Sequence, residues 1–311
     1  MIIVHTAGGR TGNQVILLCN LLATALKNNL SFVSVCFKSV NQFELTTPFS
    51  IKCFYSHLFV WILWRLTFFS FLHPVLKLFN IRFLSDTKCE PEKAATILAS
   101  DSRNGFIILN VWPYTDYMAL YQFQDKVRNS IKPKQTYLNR ARAFISPMRK
   151  EGKIIVGVHV RRTDYKEWNN GAYYYGYETY RSFMEQIVKF SDKAVHFVIC
   201  SDEKLEKGVF DPIKGQVTIS DNDFMTDLSI LSLCDYIIGP PSTFASYASF
   251  YGNTPRFTIY NETDKISSFA AFGVALIDYD DTYESHIDGK KEARLHIVIK
   301  KGEICQIDKK R

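Results

Sequence analysis

The sequence has no cysteine pattern that could support a disulfide framework or a zinc site. Its seven cysteines are scattered along 311 residues, are odd in number and never form a Cys-x-x-Cys pair. Several of them lie within apolar runs, where a free thiol behaves as a small hydrophobic side chain. We therefore expect reduced thiols and a cytoplasmic protein.

The chain also lacks a long hydrophobic run of the kind that targets a protein to a membrane or spans one. Residues 1–5 predict a short strand ahead of a glycine-rich loop, without the basic region and apolar stretch of a signal peptide. Residues 51–80 are apolar and aromatic, but Arg65 and Pro74 interrupt them. Neither piece therefore reaches the roughly 20 residues that cross a bilayer.

Two interpretations of residues 51–80 remain open. Aromatic side chains mixed with basic ones suit a helical hairpin in peripheral contact with the inner face of the cytoplasmic membrane. A helical insertion packed against the rest of the N-terminal lobe would explain the same composition.

Neither basic nor acidic residues are in large excess. The chain has 38 basic and 31 acidic residues, and its formal net charge of +7 fits nucleic acid, anionic lipid and anionic metabolites equally well. A hydrophobic fraction of 47% with 22% charged residues is typical of a globular protein and excludes a disordered one.

What the sequence does contain is a regular alternation of strand and helix patterns. This alternation predicts an α/β fold with parallel sheets covered by helices. We expect two Rossmann-like lobes, residues 1–150 and 151–311, with a cleft between them, and a hairpin near the C-terminal end. The predicted strands are 2–6, 31–37, 106–110, 154–160, 195–200, 216–219, 236–239 and 256–260, and the predicted helices are 13–28, 125–150 with a break near Pro133, 177–190, 223–234 and 243–251.

The most informative segment follows the apolar strand 154–160. It presents His159, Arg161, Arg162 and Asp164 at the C-terminal end of that strand, where open α/β sheets bind their ligands. Two adjacent guanidinium groups are costly to bury unless they meet anions, and their planar geometry suits phosphate oxygens. A phosphate-bearing ligand is one explanation, and a structural ion pair with nearby acids is the other.

Three further polar clusters follow predicted strands in the same way. A glycine-rich loop at residues 8–14 precedes the first helix, whose N–H groups could meet an anion. Asp202 follows the strand 195–200, where it could bind a guanine edge or cap a helix. A Ser-Thr-Phe sequence at 242–244 opens a helix and offers hydroxyl and N–H groups to a phosphate. A turn or a cap would explain each cluster alone, but four in one chain favour a binding site.

Three motifs in this order resemble those of the inverting fucosyltransferases that share a His-x-Arg-Arg-x-Asp motif. The resemblance is strongest to the bacterial α-1,2-fucosyltransferases of glycosyltransferase family 11. Their N-terminal Gly-x-x-Gly-Asn-Gln segment is matched at residues 9–14, their central motif at 159–165 and their C-terminal motif at 227–244. The motifs span the chain from residue 8 to about residue 255.

The resemblance implies a GT-B architecture, with an acceptor-side N-terminal lobe and a C-terminal lobe that binds a GDP-sugar. It implies metal-independent, inverting transfer of L-fucose from GDP-β-L-fucose, without a cofactor. The acceptor would be a galactose-containing oligosaccharide of a bacterial surface glycan, such as an O-antigen or lipopolysaccharide, and a lipid-linked acceptor is one hypothesis. The product would carry an α-1,2 linkage.

The resemblance also implies roles for individual residues. Arg161 would bind the β-phosphate and stabilise the departing GDP, while Asp164 is either the catalytic base or a residue that orients the arginines. Glu167 and Glu178 are weaker candidates for the base. The implied donor-binding residues are His159, Arg162, Asp202, Ser242, Thr243, Phe244, Asn13 and Gly12, with no metal ligand.

Three alternative functions fit the same sequence. The first is a related GT-B transferase that uses another GDP-sugar or forms another linkage, and a panel of donors would distinguish it from a fucosyltransferase. A basic nucleic-acid-binding protein would bind generic RNA or DNA in a salt-dependent manner. A peripheral membrane protein without catalysis would bind lipid through residues 51–80 but would not bind a nucleotide.

Overall fold

The structure is a computed structural model, and the residues that it describes form two compact units. The units are Met1–Lys132 and Pro133–Arg311, and each contains its own five-stranded sheet. The described residues are 2–4, 9–46, 51–53, 55–68, 73–85, 98, 106–110, 114–206, 208–211, 213, 216–275, 297–300 and 303–306.

The first unit alternates strands and helices along the chain. Its elements are β1 (Ile2–Val4), α1 (Thr11–Asn28), β2 (Phe32–Ser34), β3 (Phe43–Leu45), β4 (Ile51–Cys53), α2 (His57–Phe68), α3 (His73–Leu78), β5 (Ile81–Ser85), β6 (Phe106–Asn110), α4 (Tyr117–Ser130) and β7 (Ile131–Pro133). Five strands form a parallel sheet in the order β4-β2-β1-β6-β5, and β3 pairs with β7 separately. In the central strand, Ile3 pairs with Val33 on one side and with Ile108 on the other.

Helix α1 lies in the core of this unit. Every residue from 14 to 25 is buried, including the polar side chains of Asn20 and Thr24. Both are satisfied by Asp116, the N-cap of α4, since its N–H donates to Asn20 Oδ1 at 3.0 Å and its Oδ2 accepts from Thr24 Oγ1 at 2.9 Å. These buried hydrogen bonds fix α1 against α4.

The described part of residues 51–80 comprises β4, α2 and α3. One side of α2 is packed, because Val60 and Leu63 contact the cluster formed by Val35 and Ile108. This contact agrees with the interpretation of residues 51–80 as a helical insertion packed against the N-terminal lobe. No helix among the described residues is long and apolar enough to cross a bilayer.

The second unit repeats the alternation with longer strands. Its elements are α5 (Gln135–Lys150), β8 (Ile154–Val160), α6 (Tyr177–Phe190), β9 (Val195–Ser201), β10 (Gln216–Ile219), α7 (Phe224–Leu233), β11 (Tyr236–Gly239), α8 (Thr243–Gly252), β12 (Arg256–Thr258), β13 (Val274–Ala275), β14 (Ile297–Lys300) and β15 (Glu303–Gln306). The main sheet is parallel, in the order β10-β9-β8-β11-β12. The predicted C-terminal hairpin is confirmed as β14 and β15, with β13 beside them.

The division of the chain lies ahead of α5 rather than near residue 150. Helix α5 packs against α7, and Arg149 of α5 forms an ion pair with Asp235 at 3.0 Å. The predicted helix at 125–150 is in fact α4, β7 and α5. Pro133 accounts for the interruption, because it lacks an N–H group and restricts the residue before it.

The strand order of the second unit locates a ligand crevice. From β8 the chain adds β9 and β10 on one side and then returns to add β11 and β12 on the other. In such doubly wound sheets the crevice lies at the point where this direction reverses, outside the carboxyl ends of the two central strands. Those ends carry His159 on β8 and Gly239 on β11.

Candidate active site

The carboxyl ends of β8 and β11 approach each other closely. A Cβ atom on Gly239 would lie 2.6 Å from the backbone oxygen of His159, so only glycine fits this position without a shift. The turn at residues 240–242 then leads from β11 into α8. The predicted clusters at 159–164 and 242–244 therefore meet at one edge of the sheet.

Ser242 occupies the N-cap position of α8 but does not cap the helix with its side chain. Its hydroxyl oxygen instead lies 3.1 Å from Nε2 of His159, and both side chains are buried. The imidazole also stacks on Phe244, with ring centroids 5.3 Å apart. The first turn of α8 thus begins without the side-chain cap that a serine at this position usually provides.

The surroundings of His159 disfavour its charged form. Burial lowers its pKa well below the usual range, and the positive charges of Arg161 and Arg256 lower it further. Its second nitrogen, Nδ1, is buried and has no hydrogen-bond partner among the described residues.

Arg161 and Asp164 form a bidentate ion pair beside this turn. Nε of Arg161 donates to Oδ1 of Asp164 at 3.1 Å, and its Nη2 donates to Oδ2 at 2.7 Å. Burial is the largest single effect and lowers the pKa of Arg161, but the hydrogen bonds to Asp164 together with the nearby charges of Asp164 and Asp202 raise it overall. Nη1 makes no hydrogen bond to any residue that the structure describes, so it can donate to a ligand.

Tyr165 connects this arginine to the α8 turn. The guanidinium carbon of Arg161 lies 4.9 Å from the centre of the Tyr165 ring, which is a cation–π contact. The Tyr165 hydroxyl donates a hydrogen bond to the backbone oxygen of Pro241. The position of the arginine and the course of the turn are therefore coupled through one buried side chain.

Arg256 is a buried cation beneath the same turn. Its Nη2 donates to the backbone oxygen of Pro240 at 2.7 Å, and its Nη1 donates to Ser246 Oγ at 2.6 Å. No carboxylate among the described residues forms an ion pair with it. Two positive charges, Arg161 and Arg256, thus act on His159, while the carboxylates of Asp164 and Asp202 act on Arg161.

Arg162 has different surroundings from its neighbour. Its guanidinium carbon lies 4.5 Å from the ring centre of Tyr174 and 4.4 Å from that of Tyr177. Nη1 donates to the backbone oxygen of Tyr175, and Nε lies 2.7 Å from Oε1 of Glu203. In this structure the guanidinium therefore links the loop before α6 to the loop after β9.

Asp202 accepts hydrogen bonds from the loop that follows β8. Its Oδ1 accepts from the N–H of Arg162 at 2.9 Å, and its Oδ2 accepts from Thr163 Oγ1 at 2.6 Å. It caps this loop rather than a helix. The N–H of Thr163 also donates to Oδ1, at 3.4 Å, so this carboxylate holds two successive residues of the loop.

Gly12 and Asn13 lie in the first turn of α1, in the first unit. The preceding Gly9 has a φ of 73°, and a Cβ there would lie 2.1 Å from Asn13 Nδ2. Gln14 holds the turn, because its Nε2 donates to the backbone oxygen of Gly9 at 3.2 Å. Gly8, which belongs to the same predicted loop, lies outside the described residues.

Sequence reasoning overlooked Arg256 and gave no role to Tyr165. The signal for Arg256 was an arginine at the first position of a predicted buried strand, where a cation needs a partner. Tyr165 gave no such signal, since its contact with Pro241 depends on a turn 76 residues away.

Residues 105–278, which are more than half of the chain, match the sequence profile described as glycosyl transferase family 11. The chain belongs to glycosyl transferase family 11. The comparison with curated proteins found no match. The family resemblance read from the three motifs is thereby confirmed.

Solved structures of similar fold extend this family assignment to the architecture. The fucosyltransferase NodZ from Bradyrhizobium aligns with a TM-score of 0.54 and 15% identity, covering 85% of this chain and 96% of NodZ. A structure of NodZ alpha-1,6-fucosyltransferase soaked with GDP-fucose aligns with a TM-score of 0.54 and 16% identity, covering 85% and 97%. A mutant of Arabidopsis thaliana FUT1 in complex with GDP aligns with a TM-score of 0.53 and 10% identity, covering 88% and 73%.

Identities this low show the fold alone. The expected α/β fold of the GT-B class is confirmed for this family 11 glycosyltransferase. The roles of its site residues remain predictions, although the structure brings His159, Arg161, Asp164, Ser242 and Phe244 together.

Proposed function

We propose that this family 11 glycosyltransferase transfers L-fucose from GDP-β-L-fucose to a sugar hydroxyl, with inversion and without a metal ion. The proposal is supported by family membership and by similar folds named as fucosyltransferases that were co-crystallised with GDP or soaked with GDP-fucose. The observation that carries it is the convergence of Arg161, Arg256 and the uncapped start of α8 on one crevice. Such a crevice is suited to an anion with more than one charge.

The chemistry of donor cleavage explains why this arrangement is needed. As GDP departs, negative charge grows on the β-phosphate while the sugar becomes positively charged. Arg161 donates Nη1 to a β-phosphate oxygen, and the N–H groups at the start of α8 stabilise the same charge. Arg256 adds a fixed positive charge behind the turn. Because these groups are already in place, they need no reorganisation as the charge develops.

Asp164 acts by orienting Arg161. Both of its oxygens accept hydrogen bonds from that guanidinium, so the pair is held as one planar unit. Of the two roles that the resemblance allowed, this geometry favours orientation over proton abstraction. Of the weaker candidates for the base, Glu178 pairs with Arg181 at 2.8 Å, and Glu167 is exposed.

The guanosine end of the donor lies beside His159, Phe244 and Asp202 in this proposal. Phe244 is only partly buried and stacks on the imidazole of His159, so it offers an aromatic edge to the nucleoside. The resemblance to the family motifs places Asp202 at the same end of the donor. The resemblance to the family motif also assigns donor binding to Asn13 and Gly12.

The acceptor half of the proposal rests on the family resemblance. It assigns an α-1,2 linkage to a galactose-containing oligosaccharide of a bacterial surface glycan. The alternatives that differ in donor or linkage are separated by assaying GDP-fucose and GDP-mannose against the same set of galactosides.

Calorimetric titration in the presence of a chelator tests the donor assignment. The ligands are GDP-fucose, GDP-mannose and UDP-glucose, and the proteins are the full chain, Arg161→Ala and Arg181→Ala. Arg181 is the matched control, since it also pairs with an acid three residues away but lies on α6. We expect guanine-selective binding in the full chain and in Arg181→Ala, and its loss in Arg161→Ala. Absence of nucleotide binding in the full chain would overturn the proposed function.

A further inference from the structure

Exposed apolar side chains are concentrated in one short segment of the first unit. Among the described residues, eleven large hydrophobic side chains are exposed, and six of them lie between positions 58 and 79. Trp61 is 55% exposed and Leu78 is 83% exposed. We call the six the 57–79 surface: Leu58, Phe59, Trp61, Val75, Leu78 and Phe79.

Helix α2 is apolar on two opposite sides. Val60 and Leu63 lie three residues apart and pack on the sheet of the first unit. Leu58 and Trp61 are also three residues apart, and this second stripe faces away from the packed one and is exposed. A surface helix normally presents polar side chains outward, so an outward apolar stripe indicates a further contact.

The charges in this segment are all of one sign. Between Glu44 and Asp86 the sequence contains no acidic residue, and its four charged residues are all basic. Arg65 continues the exposed stripe of α2, with its guanidinium carbon 5.2 Å from the ring centre of Trp61. Lys77 is exposed on α3, beside Leu78. The surface is therefore apolar and cationic, which matches an apolar partner that carries negative charge.

The two helices are close enough to act together. Only four residues separate Phe68 from His73, so their Cα atoms lie at most about 18 Å apart. Helix α2 has 12 residues and is about 18 Å long, which is far short of the bilayer thickness. Such helices lie in the membrane interface, where tryptophan is favoured and basic side chains extend to the headgroups.

We propose that the 57–79 surface docks this enzyme onto a bilayer that contains anionic phospholipids. A second copy of the chain is a poorer occupant, because two such surfaces would bring like charges together. This proposal does not depend on the donor assignment. It places the transferase at a lipid surface whatever sugar it transfers.

Vesicle co-sedimentation of the full chain tests the proposal. The probes are phosphatidylcholine vesicles with and without phosphatidylglycerol, each at low and high salt. We expect binding to the anionic vesicles that weakens with salt. Trp61→Ser combined with Leu78→Ser should weaken this binding at least about tenfold. Lys77→Glu should also weaken it about tenfold or more.

Matched controls lie on the second unit. Phe224→Ser removes an exposed phenyl ring from α7, and Lys189→Glu reverses an exposed charge on α6. Both should bind vesicles as the unaltered chain does, and all variants should keep its thermal unfolding midpoint. The proposal is overturned if the unaltered chain ignores anionic vesicles, or if the double variant binds them equally well. A third result would also overturn it. In that result the unaltered chain does not bind vesicles but forms a dimer in sedimentation velocity, and the double variant is a monomer.

Discussion

The Ser242 hydroxyl is 3.1 Å from Nε2 of His159 and does not cap the helix that it precedes. This hydrogen bond joins the carboxyl end of β8 to the turn that leads into α8. It satisfies a buried imidazole nitrogen and leaves the first N–H groups of the helix without a side-chain cap. One side chain thus stabilises the fold and shapes the crevice in which we place the donor phosphates.

Ser242→Ala tests this dual role. Leaving His159 Nε2 buried without a partner should lower the free energy of unfolding by about 1–3 kcal/mol, measured by urea denaturation. Donor affinity should fall as well, because the imidazole is no longer held. Ser229→Ala is the control, since that buried hydroxyl donates to the backbone oxygen of Met225 within its own helix, α7. Equal destabilisation by the two substitutions would contradict the role of Ser242.

A double-mutant cycle separates the two roles of Asp164. Arg161→Ala should lower kcat/KM by about 10²–10³-fold, as expected when a donor to developing charge is removed. If Asp164 acts only through Arg161, Asp164→Asn should cause a smaller loss, and the double variant should be no worse than Arg161→Ala. Multiplicative losses in the double variant would instead support Asp164 as the base.

Arg256 should matter for stability and for donor affinity together. Arg256→Met leaves the buried oxygen of Pro240 without its donor, so we expect a loss of about 1–3 kcal/mol in the free energy of unfolding. GDP affinity should fall with it, since a positive charge behind the turn is removed. Arg140→Met provides a control at an exposed ion pair with Asp223, where at most about 1 kcal/mol is expected. Unchanged GDP affinity in Arg256→Met would show that this charge does not reach the ligand.

Asp227 should make the protein less stable as the pH rises. Burial, together with the nearby charges of Asp223 and Asp221, raises its pKa to about 7, although a hydrogen bond from Ser220 opposes the shift. In the unfolded chain the carboxyl ionises near pH 4, so folding is penalised increasingly between about pH 4 and about pH 7.

Asp227→Asn should remove this dependence, because the amide does not ionise. The free energy of unfolding measured across that pH range should then decline less steeply than in the unaltered protein. Asp192→Asn, at an exposed position in the loop after α6, should leave the slope unchanged. Parallel slopes for Asp227→Asn and the unaltered protein would refute the assignment.

The second unit could be predicted from the sequence almost element by element. Strands such as Ile154–Val160 are continuous apolar runs, and their burial on both faces makes them unambiguous. The first unit was harder, because β3 and β7 have only three residues each and form a sheet of their own. Helix α4 begins at Tyr117, well before the predicted start at 125, because Asp116 caps it through the N–H of Ala119.

The sequence predicted which residues lie at the site but not which partners their side chains contact. Strand ends showed which residues would meet, and Arg161 and Ser242 do lie at the same crevice. The partner of each side chain could not be read in this way. Arg162 and Arg161 are adjacent in sequence, yet Arg162 lies among tyrosines of a loop whose course only tertiary packing determines.

The most direct measurement of the central claim compares the affinities of GDP and GMP. The account assigns Arg161 and the start of α8 to the β-phosphate, which GMP lacks. The unaltered protein should therefore bind GDP at least about tenfold more tightly than GMP, and the difference should be smaller in Arg161→Ala. Equal affinities for the two nucleotides in the unaltered protein would contradict the account.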